Sequence, residues 1–338
     1  MPRLGDAQLP CVCIVFTGGT ISMLPDAVSG AAVPVLRGET ILERTPGLAA
    51  IADVEAIDWG LVPASHLRFE QLLDLARILE RALVRDDVAG AVVVQGTDTI
   101  EETAFAFDLL LDHRKPVVIV GAMRNAGDPG WDGPRNLLDA VRVAADPHSA
   151  GYGTLVVIAG SILPADDAVK VDSRALDAFA APNVGPVGAV RDGRVSFSAP
   201  RRAARHLGAI PTSAPDDVAL LTVTMGMDGW LVRAALARRP SALVIAATGT
   251  GNTHPDVLAA AVEAMDIGVP VVLASRCLRG GVSPAYGFPG GGRQWLDAGA
   301  MLAGTMSGLK ARICMALASG AGVSGEDLRA LLAGPVRE

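Results

Sequence analysis

The stretch AVVVQGTDTIEETAFAFDLLLDH, residues 91–113, changes character twice. Ala91 to Gln95 is a short apolar run rich in β-branched Val, as in a strand buried on both faces. Gly96, Thr97, Asp98 and Thr99 interrupt it with residues that turn a chain and cap a helix. From Ile100 onward the apolar positions recur at helical spacing, predicting a helix over 100–113. Thr99-x-x-Glu102 has the form of a capping box, with Asp98 or Thr99 as the N-cap. That accounts for Thr99 but not for Thr97, whose hydroxyl precedes the cap.

The same strand–turn–helix unit recurs on both sides. CVCIVF (11–16) is a strand-length apolar run ending in TGGT (17–20). FEQLLDLARILERALV (69–84) is helical, with Leu72, Leu75, Leu79 and Leu83 near one face. KPVVIVGAM (115–123) reads as a strand, RNLLDAVRVAAD (135–146) as a helix and TLVVIAGSI (154–162) as a fourth strand. After a Pro-, Arg-, Ala- and Ser-rich stretch the alternation resumes: VALLTVTM, DGWLVRAALARR, ALVIAAT, HPDVLAAAVEAMDIG, PVVLASR and SGLKARICMALASG. Apolar strands alternating with helices predict α/β architecture with a parallel sheet covered on both faces. The expected domains are 1–200 and 217–338, with a linker at 201–216. Ligands of such sheets collect at the carboxyl ends of strands, and TGGT, GTDT (96–99) and GTGN (249–252) all fall there.

Composition narrows the partners. The 338 residues carry a net charge of −7, so no basic face for nucleic acid is expected. The cluster Arg201, Arg202, Arg205, His206 is short and reads as a solvated linker face. No apolar run reaches membrane-spanning length, and the first residues lack the pattern of a secretory signal. Cys11, Cys13, Cys277 and Cys314 do not have zinc-site spacing, so reduced thiols, no metal and a cytoplasmic location are expected.

A threonine at a strand-end glycine turn is a candidate nucleophile, but a hydroxyl needs a base. None of the five histidines accompanies these threonines, and neither Ser161 nor Ser307 lies in a Gly-x-Ser-x-Gly elbow. A partly desolvated lysine is an alternative base. Of Lys115, Lys170 and Lys310, Lys170 follows the fourth strand and falls near a carboxyl end. Gly18 and Gly19 allow close backbone approach and leave N–H groups for an oxyanion.

TGGTI (17–21) and GTDTIEETA (96–104) together resemble the two signature motifs of the bacterial asparaginase/glutaminase family. KPVVIVGAMR, DGPRNLLDAV, DDAVK, ATGTGN and SGLKARICMALA continue the likeness in the same order. The resemblance implies a larger N-terminal domain, a smaller C-terminal α/β domain and a homotetramer built as a dimer of dimers. It implies hydrolysis of L-asparagine through a threonine ester without a cofactor. Thr20 takes the nucleophile's position, and Thr97, Asp98 and Lys170 match a second triad. Gly19 and Gly96 border the substrate, Asp98 orients Thr97 and Lys170 or takes the substrate's ammonium, and the Ala122 backbone borders the leaving group. Asn252 reaches the substrate from the neighbouring subunit. A substrate-contacting serine falls on Ser65, or one residue earlier on Ala64. Unlike many members, the loop from 22 to 40 contains no tyrosine, and Gly30 and Gly38 mark it as mobile. Glutamine or another small amide is the alternative substrate, and an amino-acid sensor is the alternative to an enzyme. A tRNA-dependent amidotransferase subunit is disfavoured by the acidic balance and by a catalytic strand beginning near residue 11.

Overall fold

A computed structural model describes residues 9–201 and 205–333. Arg202 and the first eight residues, which figured in the reading above, lie outside that range. The chain divides into two compact units, Met1–Leu67 with Asp74–Arg202, and Arg68–Leu73 with Ala203–Glu338. Residues 205–216, within the expected linker, carry no helix or strand.

The first unit contains β1 (Cys11–Phe16), a small hairpin of β2 (Met23–Pro25) and β3 (Ala32–Pro34), α1 (Gly38–Glu43) and β4 (Asp53–Asp58). α2 (Phe69–Leu83) follows, its first residues being those grouped with the second unit. Next come β5 (Val88–Val94), α3 (Ile100–Leu110), β6 (Val117–Val120), α4 (Gly133–Ala145), β7 (Thr154–Ile158) and β8 (Ser161–Pro164). Short strands β9 (Val169–Lys170), β10 (Phe179–Ala180), β11 (Gly188–Arg191) and β12 (Arg194–Phe197) complete it. The main sheet has the order β12-β11-β8-β7-β6-β5-β1-β4. From β4 to β7 every pair is parallel. β1, β5, β6 and β7 are almost wholly buried, which their unalternating Val- and Ile-rich sequences anticipate, whereas β4 at the sheet's edge is exposed or half-buried. One face carries Val12, Ile14, Val92, Val94, Val118 and Val120 against Leu137, Ala140 and Val141 of α4.

The sheet is mixed rather than wholly parallel, because TLVVIAGSI is two strands, not one. Ala159 and Gly160 both adopt positive φ, 51° and 74°, forming a two-residue turn that sends β8 back antiparallel to β7. Asp192 and Gly193 repeat the device, with φ of 49° and 73°, between β11 and β12. Two further expectations change. Thr99 occupies the N-cap of α3 but makes no side-chain capping bond. Gly38 is a packing glycine rather than a hinge: an added Cβ would lie 2.4 Å from the Phe16 ring and 2.9 Å from Asp58 Oδ1.

The second unit holds a four-stranded parallel sheet of β13 (Ala219–Thr222), β14 (Leu243–Ala247), β15 (Val271–Ser275) and β16 (Met301–Ser307), in that order. Helices α5 (Trp230–Leu236), α6 (Pro255–Asp266), α7 (Gly292–Asp297), α8 (Gly308–Gly320) and α9 (Gly325–Ala333) complete it. Its core joins Leu243, Ile245 and Leu273 to Val257 and Ala261 of α6 and to Trp295.

Candidate active site

The two threonine turns sit at the carboxyl ends of the adjacent parallel strands β1 and β5. Thr17 fixes the first turn, since both its N–H and its hydroxyl donate to the Val94 carbonyl, at 3.0 and 3.1 Å. Gly18 and Gly19 follow with φ of 106° and 88°, conformations that a side chain strains. A Cβ on Gly19 would lie 2.1 Å from the Gly96 Cα, so the turns meet backbone to backbone. Thr20 then opens a single helical turn, and Ser22 closes it by donating its hydroxyl to the Gly19 carbonyl at 2.7 Å. Thr20 is half-buried, and its hydroxyl has no hydrogen-bond partner among the described residues.

The β5 turn is bound differently. Gln95 is fully buried, and its amide donates to the Thr99 and Thr103 hydroxyls at 3.1 and 3.0 Å. Thr99 in turn donates to the Ala64 carbonyl at 3.2 Å, which is why that hydroxyl does not cap the helix. Buried Thr97 begins the next turn and Asp98 projects beyond it. Lys170 Nζ donates to Thr97 Oγ1 and to Asp98 Oδ1, both at 2.9 Å. The lysine is largely buried and Asp98 largely exposed, so solvent screens the ion pair and its value lies in geometry. The hydroxyl, amine and carboxylate can therefore pass one proton between Thr97 and Lys170 while Asp98 keeps a carboxylate oxygen at the surface.

Lys170 does not reach this place from the end of a parallel strand, as its position after TLVVIAGSI implied. β8 runs back toward the amino ends, and the chain then returns in β9, which packs against α3 and pairs with β10 at Phe179. Buried Asp167 pins that return by accepting from the N–H of Asn183 and Val184 and from the Asn183 amide, at 2.7, 2.9 and 2.7 Å.

The remaining candidates divide. Gly96 packs on Gly19 and on Ala64, and Ala122 is fully buried just beyond β6. Of the alternative pair, Ala64 faces Gly96 while Ser65 is exposed. Asn252 belongs to the second unit, in a turn closed by the Asn252 N–H to Thr248 carbonyl bond at 2.9 Å. Its Oδ1 is buried and unpartnered among the described residues. No group of three or more His, Cys, Asp or Glu residues among the described residues has metal-binding geometry. Gln95, Asp167, Asp132 and Asn136 were missed by sequence reasoning; the last two are taken up below.

Comparison with known proteins decides the family. Residues 11–203 match the asparaginase N-terminal domain model, and residues 217–332 match the glutaminase/asparaginase C-terminal domain model. The chain belongs to the asparaginase family. It is 37% identical over 330 residues to a probable L-asparaginase of Deinococcus radiodurans, covering 96% of this chain and 97% of that one. It is 30% identical to L-asparaginase 2 of Escherichia coli, covering 92% and 89%. A crystal structure of a probable cytoplasmic L-asparaginase from Campylobacter jejuni superposes with a TM-score of 0.80 at 28% identity, over 91% and 94% of the two chains. The asparaginase fold accounts for the large sheet unit and the smaller parallel one.

Proposed function

We propose that this chain hydrolyses the side-chain amide of L-asparagine, releasing L-aspartate and ammonia through a threonine ester. The observation that carries the reading is the Lys170 amine within hydrogen-bond reach of both Thr97 and Asp98, beside a glycine turn bearing Thr20. Thr20 Oγ1 attacks the amide carbon, N–H groups of the glycine turns hold the developing oxyanion, and the C–N bond breaks as the Thr20 proton passes to the departing nitrogen, which leaves as ammonia. In the second half-reaction water attacks the Thr20 ester and passes its proton to Thr97 as Lys170 Nζ takes the Thr97 proton; the ester C–O bond breaks, Thr20 regains a proton and L-aspartate leaves. Asp98 receives the substrate ammonium, and Gly19, Gly96, Ser65 and the Ala122 backbone border the rest of the molecule. The chemistry uses side chains and peptide groups alone.

Asn252 of a neighbouring copy completes the site in this reading, in a homotetramer. Exposed Met225 and Leu278, in loops at the carboxyl end of the second unit's sheet, and exposed Trp230, which opens α5, support burial against another chain. The free thiols at Cys11 and Cys13 support a cytoplasmic location. L-Glutamine is the second reading, favoured by the missing loop tyrosine and by alanine at position 64. Ammonia release from purified protein, measured across a panel of small amides at millimolar concentration, tests both. Turnover of L-asparagine supports the first reading, turnover of glutamine alone supports the second, and turnover of neither refutes both.

A further inference from the structure

Asp132 stands at the N-cap of α4, yet its side chain makes no capping bond. It reaches back to the loop after β6. Oδ2 accepts from the Met123 N–H at 3.0 Å, and Oδ1 accepts from the Arg124 N–H at 2.9 Å. Oδ2 also accepts from Asn136 Nδ2 at 3.0 Å. Asn136, one turn along α4 and buried, donates Nδ2 to the Gly121 carbonyl at 3.0 Å and accepts the Ala159 N–H on Oδ1 at 3.1 Å. A carbonyl can only accept and a peptide N–H can only donate, so the amide orientation is fixed by its partners. These two side chains tie the β6 loop to the β7–β8 turn through five hydrogen bonds.

The bonds also set the direction of Ala122. A trans peptide points its C=O and the next N–H to opposite sides. Gly121 turns its C=O toward Asn136, so the Ala122 N–H points away from the clamp. Met123 turns its N–H toward Asp132, so the Ala122 C=O points away as well. Neither group takes a hydrogen bond among the described residues. A Cβ on Gly121 would come within 2.9 Å of Thr97 Cγ2, so the loop lies directly against the buried threonine. One residue thus offers an unspent donor and an unspent acceptor beside Thr97, the complement of a primary amide.

We propose that Asp132 and Asn136 are positioning residues that aim the Ala122 peptide groups at the amide being cleaved. The inference rests on the amide-hydrolase reading above. It predicts a dependence on the leaving group, because an ester's leaving oxygen carries no N–H for the Ala122 carbonyl.

The test is Asp132→Asn, which keeps the shape but leaves one backbone N–H facing a donor. Steady-state kinetics compare L-asparagine with the β-methyl ester of L-aspartate. The amide kcat is expected to fall by about tenfold or more, with KM and the ester rate each moving less than about threefold. Where Asp132→Asn does not fold, Asn136→Ser removes the bonds to Gly121 and Ala159 without adding charge, and the same split is expected. Equal losses on amide and ester, or an unchanged amide kcat, overturn the inference alone. Wild-type protein that releases no ammonia from any amide overturns the functional reading and this inference with it.

Discussion

Replacing Gly19 with alanine separates the two threonine turns with one methyl group. Its Cβ would lie 2.1 Å from the Gly96 Cα and 2.2 Å from the Gly96 N, where ordinary contact begins at 3.4 Å, a shortfall of about 1.3 Å. Both sides of the clash are backbone, so no side-chain rotation relieves it and one turn must move. A displacement of about 1 Å within a catalytic constellation lowers rate by about 10²-fold. The φ of 88° adds about 1–2 kcal/mol of strain for alanine, a drop of a few degrees in melting temperature. The assay is ammonia release by a coupled enzyme, beside thermal unfolding followed by circular dichroism. Gly30→Ala is the control, since Gly30 has a φ of 69° but nothing within 4 Å of an added Cβ. It should share the strain and retain activity within about threefold. A Gly19→Ala protein with near wild-type kcat/KM would refute the claim that backbone contact between the turns builds the site.

Other outcomes follow from the same geometry. Lys170→Met keeps the bulk and deletes the amine, and should lower kcat by about 10²–10⁴-fold in the ammonia assay while the circular dichroism spectrum is unchanged. Gly38→Ala should cost about 1–3 kcal/mol through overpacking against Phe16, read as a lower urea midpoint at unchanged slope. Burial pushes the Cys13 thiol up to about 11 and the Cys314 thiol up to about 12, whereas Cys277 is exposed. Alkylation at neutral pH should therefore modify Cys277 first, and Cys277→Ser should abolish the fast phase. Because these folded-state values lie above the unfolded value of 9.0, their contribution to stability is intact below pH 9 and is lost as pH rises through about 11 for Cys13 and about 12 for Cys314. Urea titrations at pH 8, 10 and 11 check that sign.

What the sequence made legible was local. β1 and β5 are continuous apolar runs closed by glycine turns, and no tertiary information is needed to read them as buried inner strands. The β7–β8 hairpin was hidden because Ala159 takes a positive φ, which alanine rarely does and which an Ala-Gly dipeptide does not signal. The β11–β12 hairpin has a local signal, the turn dipeptide Asp192-Gly193 between alternating residues. Thr99 is the N-cap that its sequence suggests, but its hydroxyl does not cap, because Gln95 and Ala64 claim it. Periodicity alone could not join Lys170 to Thr97, 73 residues apart; the family resemblance supplied that pair. Asp132 and Asn136 looked like an ordinary helix start, and only the fold shows the loop they hold.

The central claim is that two threonines share one amide hydrolysis, and its most direct measurement is ammonia release from L-asparagine by Thr20→Ala and Thr97→Val side by side. The account predicts that each variant keeps the wild-type circular dichroism spectrum and loses at least about 10²-fold in rate. Near wild-type turnover by either variant would contradict it.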